Sequence, residues 1–157
     1  MAALCADLQA FVDAVNDAVD YSMERGNVAM AAQANIIGAV YTQVYDKHKP
    51  QSYVRHMDRG GLADMNNVEV QYDRKAKTGY YKNVRDDPST KEWRWRKTGD
   101  PENTVADVVE NGGPYSFHVN IPPRPFHEVA EKWLIDEGQA EMALKMDVEN
   151  AVGGRKF

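Results

Sequence analysis

The chain has 157 residues, enough for one substantial core, and its 43% hydrophobic and 27% charged content is that of a globular protein. No run approaches the roughly 18 apolar residues of a membrane span, and the acidic start "MAALCADLQAFVDAV" lacks the basic region of a secretory signal. The single cysteine, Cys5, excludes an internal disulfide framework and a multi-cysteine zinc site, so the expectation is a soluble intracellular product forming one domain over 1–157.

The net charge of −5 is unevenly spread. Residues 1–24 hold five acids and no base, residues 74–97 nine bases against three acids, and residues 100–150 eleven acids against three bases. Such segregation steers unlike segments of partners, or of copies of one chain, toward each other.

Residues 1–50 read as the helical N-terminal part. Leu4, Leu8, Phe11, Val12, Val15 and Val19 recur at three- and four-residue steps, which predicts a buried stripe with aspartates on the other face. Gly26 or Asn27 is expected to end this helix in the left-handed cap conformation. Ile36, Ile37, Val40, Tyr41, Val44 and Tyr45 form a second stripe, stopped by Pro50.

Residues 51–100 read as the sheet part, with "SYVRHM", "NVEVQYD" and "GYYKNV" as short strands between turn-rich connections. "EWRWRK" alternates Trp93 and Trp95 with Arg94 and Arg96 and reads as a fourth strand or a loop laying two indoles on the core. In residues 101–157, Asp100 and Pro101 open a short helix with Val105, Val108 and Val109 on its apolar edge, and Asn111-Gly112 end it. An extended, proline-locked arm is expected over 113–125, with Pro125 as first residue of the last helix. Phe126, Val129, Ala130, Trp133 and Leu134 give that helix its buried stripe, and Gly138 is a candidate interruption. The order predicts an α+β fold: a small antiparallel sheet packed against long N-terminal helices and a C-terminal helix.

Chemistry is thinly signalled. Gly60-Gly61 and Gly112-Gly113 lack the spacing and the Lys-Ser/Thr of a nucleotide cradle. His127 and Glu131 stand four apart, with His118 in reach on the arm, but exposed helices produce this spacing constantly. No serine sits in a strained nucleophile elbow. The expectation is a protein that is not an enzyme, with no catalytic, cofactor-binding or metal-binding residue. "KEWRWRK" supports an alternative, a small DNA-binding or regulatory module with arginines on phosphates and indoles on bases, against which stands the net acidity.

Three stretches, "AVYTQVYDKHKPQSYVRHMDRGGLAD", "VADVVENGGPY" and "PPRPFHEVAEKWL", together resemble the tail-completion or head–tail joining (minor tail) proteins of tailed bacteriophages. The likeness covers about residues 36–135 and leaves out the insert 85–100. Tyr53, Arg55, Gly60, Gly61 and Leu62 match the family's helix-to-sheet crossing; Glu110 and Gly112 match its Glu-x-Gly turn, and Pro125 and Phe126 its Pro-Phe helix start. The resemblance implies a structural virion component of tail or neck, assembled in the host cytoplasm as a ring around the DNA channel. Its partners would be copies of itself and neighbouring tail and neck proteins, with DNA at most passing cargo and no membrane. A tail terminator or head-closure protein of the same region is the near alternative. Arg55, Arg59, Arg94, Arg96, His118, Pro122, Pro123 and Arg124 are the candidate subunit-interface residues; Gly60, Gly61, Leu62, Glu110, Gly112, Pro125, Phe126 and Trp133 the candidate turn and core residues.

Overall fold

The computed structural model describes residues 2–47, 57, 59–85, 105–116 and 119–153, with the backbone alone for 2–6, 113–116 and 119–121. The fold is α+β. Helix α1 (Ala2–Glu24) breaks at Gly26 and α2 (Asn27–Ala39) follows, running on into a π-helical turn over Val40–Tyr45. The break is not a left-handed cap: Gly26 is extended, at φ −89° and ψ −154°, and serves as the N-cap of α2. Glycine stands there because of crowding. A Cβ would lie 2.6 Å from Asp147 Oδ2 and 2.7 Å from Ser22 Cα. Asp147, from the last helix, accepts hydrogen bonds from Asn27 N at 2.8 Å and Asn27 Nδ2 at 2.7 Å, a long-range substitute for an N-cap side chain.

The core forms where the second stripe predicts it. Ile36, Val40, Val44 and Tyr45 pack with Leu62, Val68, Val109 and Phe126, while Ile37 and Tyr41 lie half-buried against them. The first stripe is placed differently. Among the described side chains of α1, Ala14, Ala18 and Ser22 are buried, on the face next to the predicted one, and Leu8, Phe11 and Val12 are exposed. Small side chains at four-residue steps let α1 approach the last helix closely, which larger ones would prevent.

Strands β1 (Val68–Asp73) and β2 (Thr78–Asn83) make an antiparallel hairpin with Val68 opposite Asn83 and Asp73 opposite Thr78. Asp73 Oδ1 holds its turn by accepting from Lys75 N and Ala76 N at 2.8 and 3.1 Å. The hairpin lies on α1 and α2 and is tied there by its basic turn: Lys77 pairs with Asp20 and Arg74 with Glu24, each at 2.5 Å. Tyr72 Oη donates to Asp20 Oδ1 and Tyr81 Oη to the Met23 carbonyl. Lys77 and then Tyr72 hold the Asp20 carboxyl below its usual range by hydrogen bonding.

Burial pushes the Tyr81 phenol up to about 12 from 10.0, and burial followed by the bond to Asp20 does the same for Tyr72. A raised folded pKa means stability that is complete below the unfolded value and lost as pH rises through the folded one. Denaturant unfolding is therefore expected to show stability falling between about pH 10 and 12, with Tyr81→Phe flattening the fall. An unchanged slope in that variant would remove Tyr81 as its source.

Helix α3 (Val105–Asn111) buries Val105, Val108 and Val109 and ends at Gly112 with φ +73°. The following segment is not one extended arm. Strands β3 (Gly113–Ser116) and β4 (Val119–Ile121) pair antiparallel, so the chain doubles back on itself before Pro122. Proline excluded helix here as expected, but extended backbone left open groups that each strand satisfies on the other. Helix α4 (Phe126–Ile135) buries Phe126, Ala130 and Leu134, and Gly138, at φ +71°, separates it from α5 (Gln139–Gly153). Pro125 is the N-cap of α4, one position before its first helical residue. "SYVRHM" up to His56, "EWRWRK" and the start of the short helix lie outside the described residues.

Candidate functional site

The turn and core residues singled out from the sequence converge on one polar hub. Gly60, at φ +79°, and Gly61 make the turn before Leu62; a Cβ on Gly61 would stand 2.4 Å from the Met57 carbonyl oxygen. Asp64 ties this turn by accepting from Gly60 N at 2.6 Å and Asn66 N at 2.9 Å. The Asn66 N–H first, then that of Gly60, holds the Asp64 carboxyl below its usual range. Leu62 joins the core, and its carbonyl accepts from Asn83 Nδ2 at 2.6 Å.

Asn83 is fully buried at the end of β2. Its Oδ1 accepts from Arg85 N at 3.0 Å, and its own N–H donates to His127 Nε2 at 2.9 Å. An accepting Nε2 carries no proton, so the ring proton sits on Nδ1, 3.2 Å from Glu110 Oε2. The same carboxylate accepts from His127 N at 3.0 Å, capping α4, whose N-cap Pro125 has no side chain able to do so. Glu110 and the Pro-Phe helix start are thus one device. The Glu110 carboxylate orients α4, and Phe126, fully buried, anchors that helix in the core. Trp133 is half-buried against the core, a van der Waals contact from where a Cβ on Gly38 would lie.

Both ring nitrogens of His127 are committed to this hub, so the His127–Glu131 spacing is not a ligand pair. Asn83 carries no motif in the sequence. A buried asparagine at the end of a strand announces itself only when its partners are known.

Four of the candidate interface residues, Arg59, Pro122, Pro123 and Arg124, are among the described residues. Pro122, Pro123 and Arg59 are exposed. Arg124 is half-buried, and its backbone N–H donates to the Val109 and Glu110 carbonyls at 3.0 and 3.1 Å, closing the C-terminal end of α3. Arg55, Arg94, Arg96, His118 and Tyr53 lie outside the described residues. An exposed element that the interface list omitted is the far end of α1: every residue from Asp7 to Asp13 is exposed, all round the helix, with Leu8 at 65% and Val12 at 43%.

The polar side chains of the hub are spent on turns and helix ends, and the Asp7–Asp13 end of α1 leaves Leu8 and Val12 in water. The chain belongs to the YomN family, whose model matches residues 5–150. This is a family of bacteriophage tail-completion or head–tail joining proteins, part of the virion and not catalytic. Neither the curated proteins nor the solved structures hold a significant match to the chain. No described helix is long and apolar enough to cross a membrane.

Proposed function

We propose that the chain is a joint of the phage neck or tail end whose copies assemble as a ring around the channel through which DNA passes. The observation that carries this is the exposed end of α1. Apolar surface left in water costs about 25 cal/mol per Å², and a stripe on a helix end exposed on all sides is covered once a partner binds it. The exposed Pro122 and Pro123 add a segment already restricted in conformation, which loses little entropy on docking. Segregated charge along the chain suits contacts between unlike faces of neighbouring copies.

Deleting the gene from its source phage and imaging the lysate by electron microscopy tests the joining role. Filled heads beside separate tails of normal length are expected. Normal infectious particles would overturn it.

A further inference from the structure

A proton reverses the hydrogen-bonding sense of one nitrogen in the hub. His127 Nε2 accepts the Asn83 N–H at 2.9 Å, and its Nδ1–H faces Glu110 Oε2 at 3.2 Å. A neutral imidazole offers one donor and one acceptor, which is what these two partners need, whereas an imidazolium offers two donors. With a proton on Nε2, donor would face donor at Asn83, and that bond cannot persist. The bond to Glu110 loses nothing, since a carboxylate accepts from a charged ring more strongly than from a neutral one.

The surroundings give the proton access. The His127 and Glu110 side chains keep 22% and 16% of their surface exposed, and His127 lines an open cavity of about 320 Å³ between α2, β2 and α4. The Phe126 ring, 4.2 Å away between centroids, restrains the imidazole from turning to offer its other nitrogen. On α4 itself, Glu131 lines the same cavity and Glu128 is the next residue in the chain. Helix α3 brings Glu110 and also Asp107, which pairs with Lys82 of β2 at 2.8 Å. Strand β2 brings the phenols of Tyr80 and Tyr81 to the cavity, and Arg85 follows two residues beyond Asn83. Helix α2 carries no charged residue, and the titratable groups of its π-helical extension are Tyr41 and Tyr45. From α1 and α5 the cavity receives Met23 and Ala140.

We propose that His127 is a proton-operated latch between β2 and α4. Neutral, it holds the end of β2 at Asn83; protonated, it lets that strand end leave α4 while Glu110 keeps α4 on α3. Asn83 stays tied to the crossing turn, because its Nδ2 bond to the Leu62 carbonyl does not involve the ring. The released N–H meets water in the cavity. The closed form binds one proton fewer than the open form. Its population is therefore complete above the histidine titration and falls about tenfold per pH unit below it. The latch lies within one chain and does not depend on whether copies form a ring.

Nitrogen NMR and amide exchange of the purified full-length chain test it. At alkaline pH the His127 imidazole is expected to be the Nδ1–H tautomer. Exchange corrected for the intrinsic effect of pH should show Asn83 losing protection about tenfold per pH unit on acidification. Val84 N–H, which donates to the Asn67 carbonyl at 2.7 Å, is the internal control and should keep its protection. His127→Gln offers an amide oxygen that accepts at every pH, so Asn83 protection should stay level in that variant. An Nε2–H tautomer at alkaline pH overturns the latch, as does Asn83 protection that stays constant while His127 titrates. A loss shared equally by Val84 is a general loosening and overturns it too. So does a His127→Gln variant, folded by circular dichroism, that loses Asn83 protection as the wild type does.

Discussion

Replacing Asn83 with leucine is expected to lower stability by about 2–4 kcal/mol, the cost of removing a side chain that bonds the buried Leu62 carbonyl and the half-buried Arg85 N–H. Leucine has nearly the same shape, so no large cavity opens. What is lost is the acceptor for Arg85 N and the donor to the Leu62 carbonyl, at 3.0 and 2.6 Å. The backbone N–H of residue 83 still meets His127 Nε2, so the loss is confined to the side chain. For a chain of this length about 3 kcal/mol corresponds to a thermal midpoint lowered by roughly 6–12 °C. A fall below about 2 °C would show that the hub does not hold the crossing segment to β2 and α4.

Gly26→Ala is expected to cost about 2–3 kcal/mol, combining overpacking with a disturbed helix cap. The added methyl would meet Ser22 Cα at 2.7 Å, which is backbone and cannot swing aside, and Asp147 Oδ2 at 2.6 Å. Asp147 is the group that caps α2. Asp147→Ala removes the cap alone and is expected to cost about 1 kcal/mol. Denaturant unfolding of the two variants separates the causes. If Gly26→Ala is no worse than Asp147→Ala, crowding at the α1–α2 junction contributes nothing.

Local chemistry carried much of the fold. Alternation over Val68–Asp73, the four-residue steps of Phe126, Ala130 and Leu134, and glycine at positions 112 and 138 each specify an element within a few residues of themselves. The resemblance named the turns that meet at the hub, Gly60-Gly61-Leu62 and Glu110-x-Gly112 with Pro125-Phe126, and the family match agrees with it. Three things were not legible in the residues, each for the same physical reason: a contact is a property of two segments. Periodicity marked Leu8, Phe11 and Val12 as a stripe, but whether a stripe is buried depends on what packs beside it, and α5 takes the adjoining Ala14–Ala18–Ser22 face. Prolines made 113–125 extended, yet its return as a β3–β4 pair depended on which strand was near enough to satisfy its backbone. Asn83, His127 and Glu110, 44 and 17 residues apart, became one device only when the chain had closed around them.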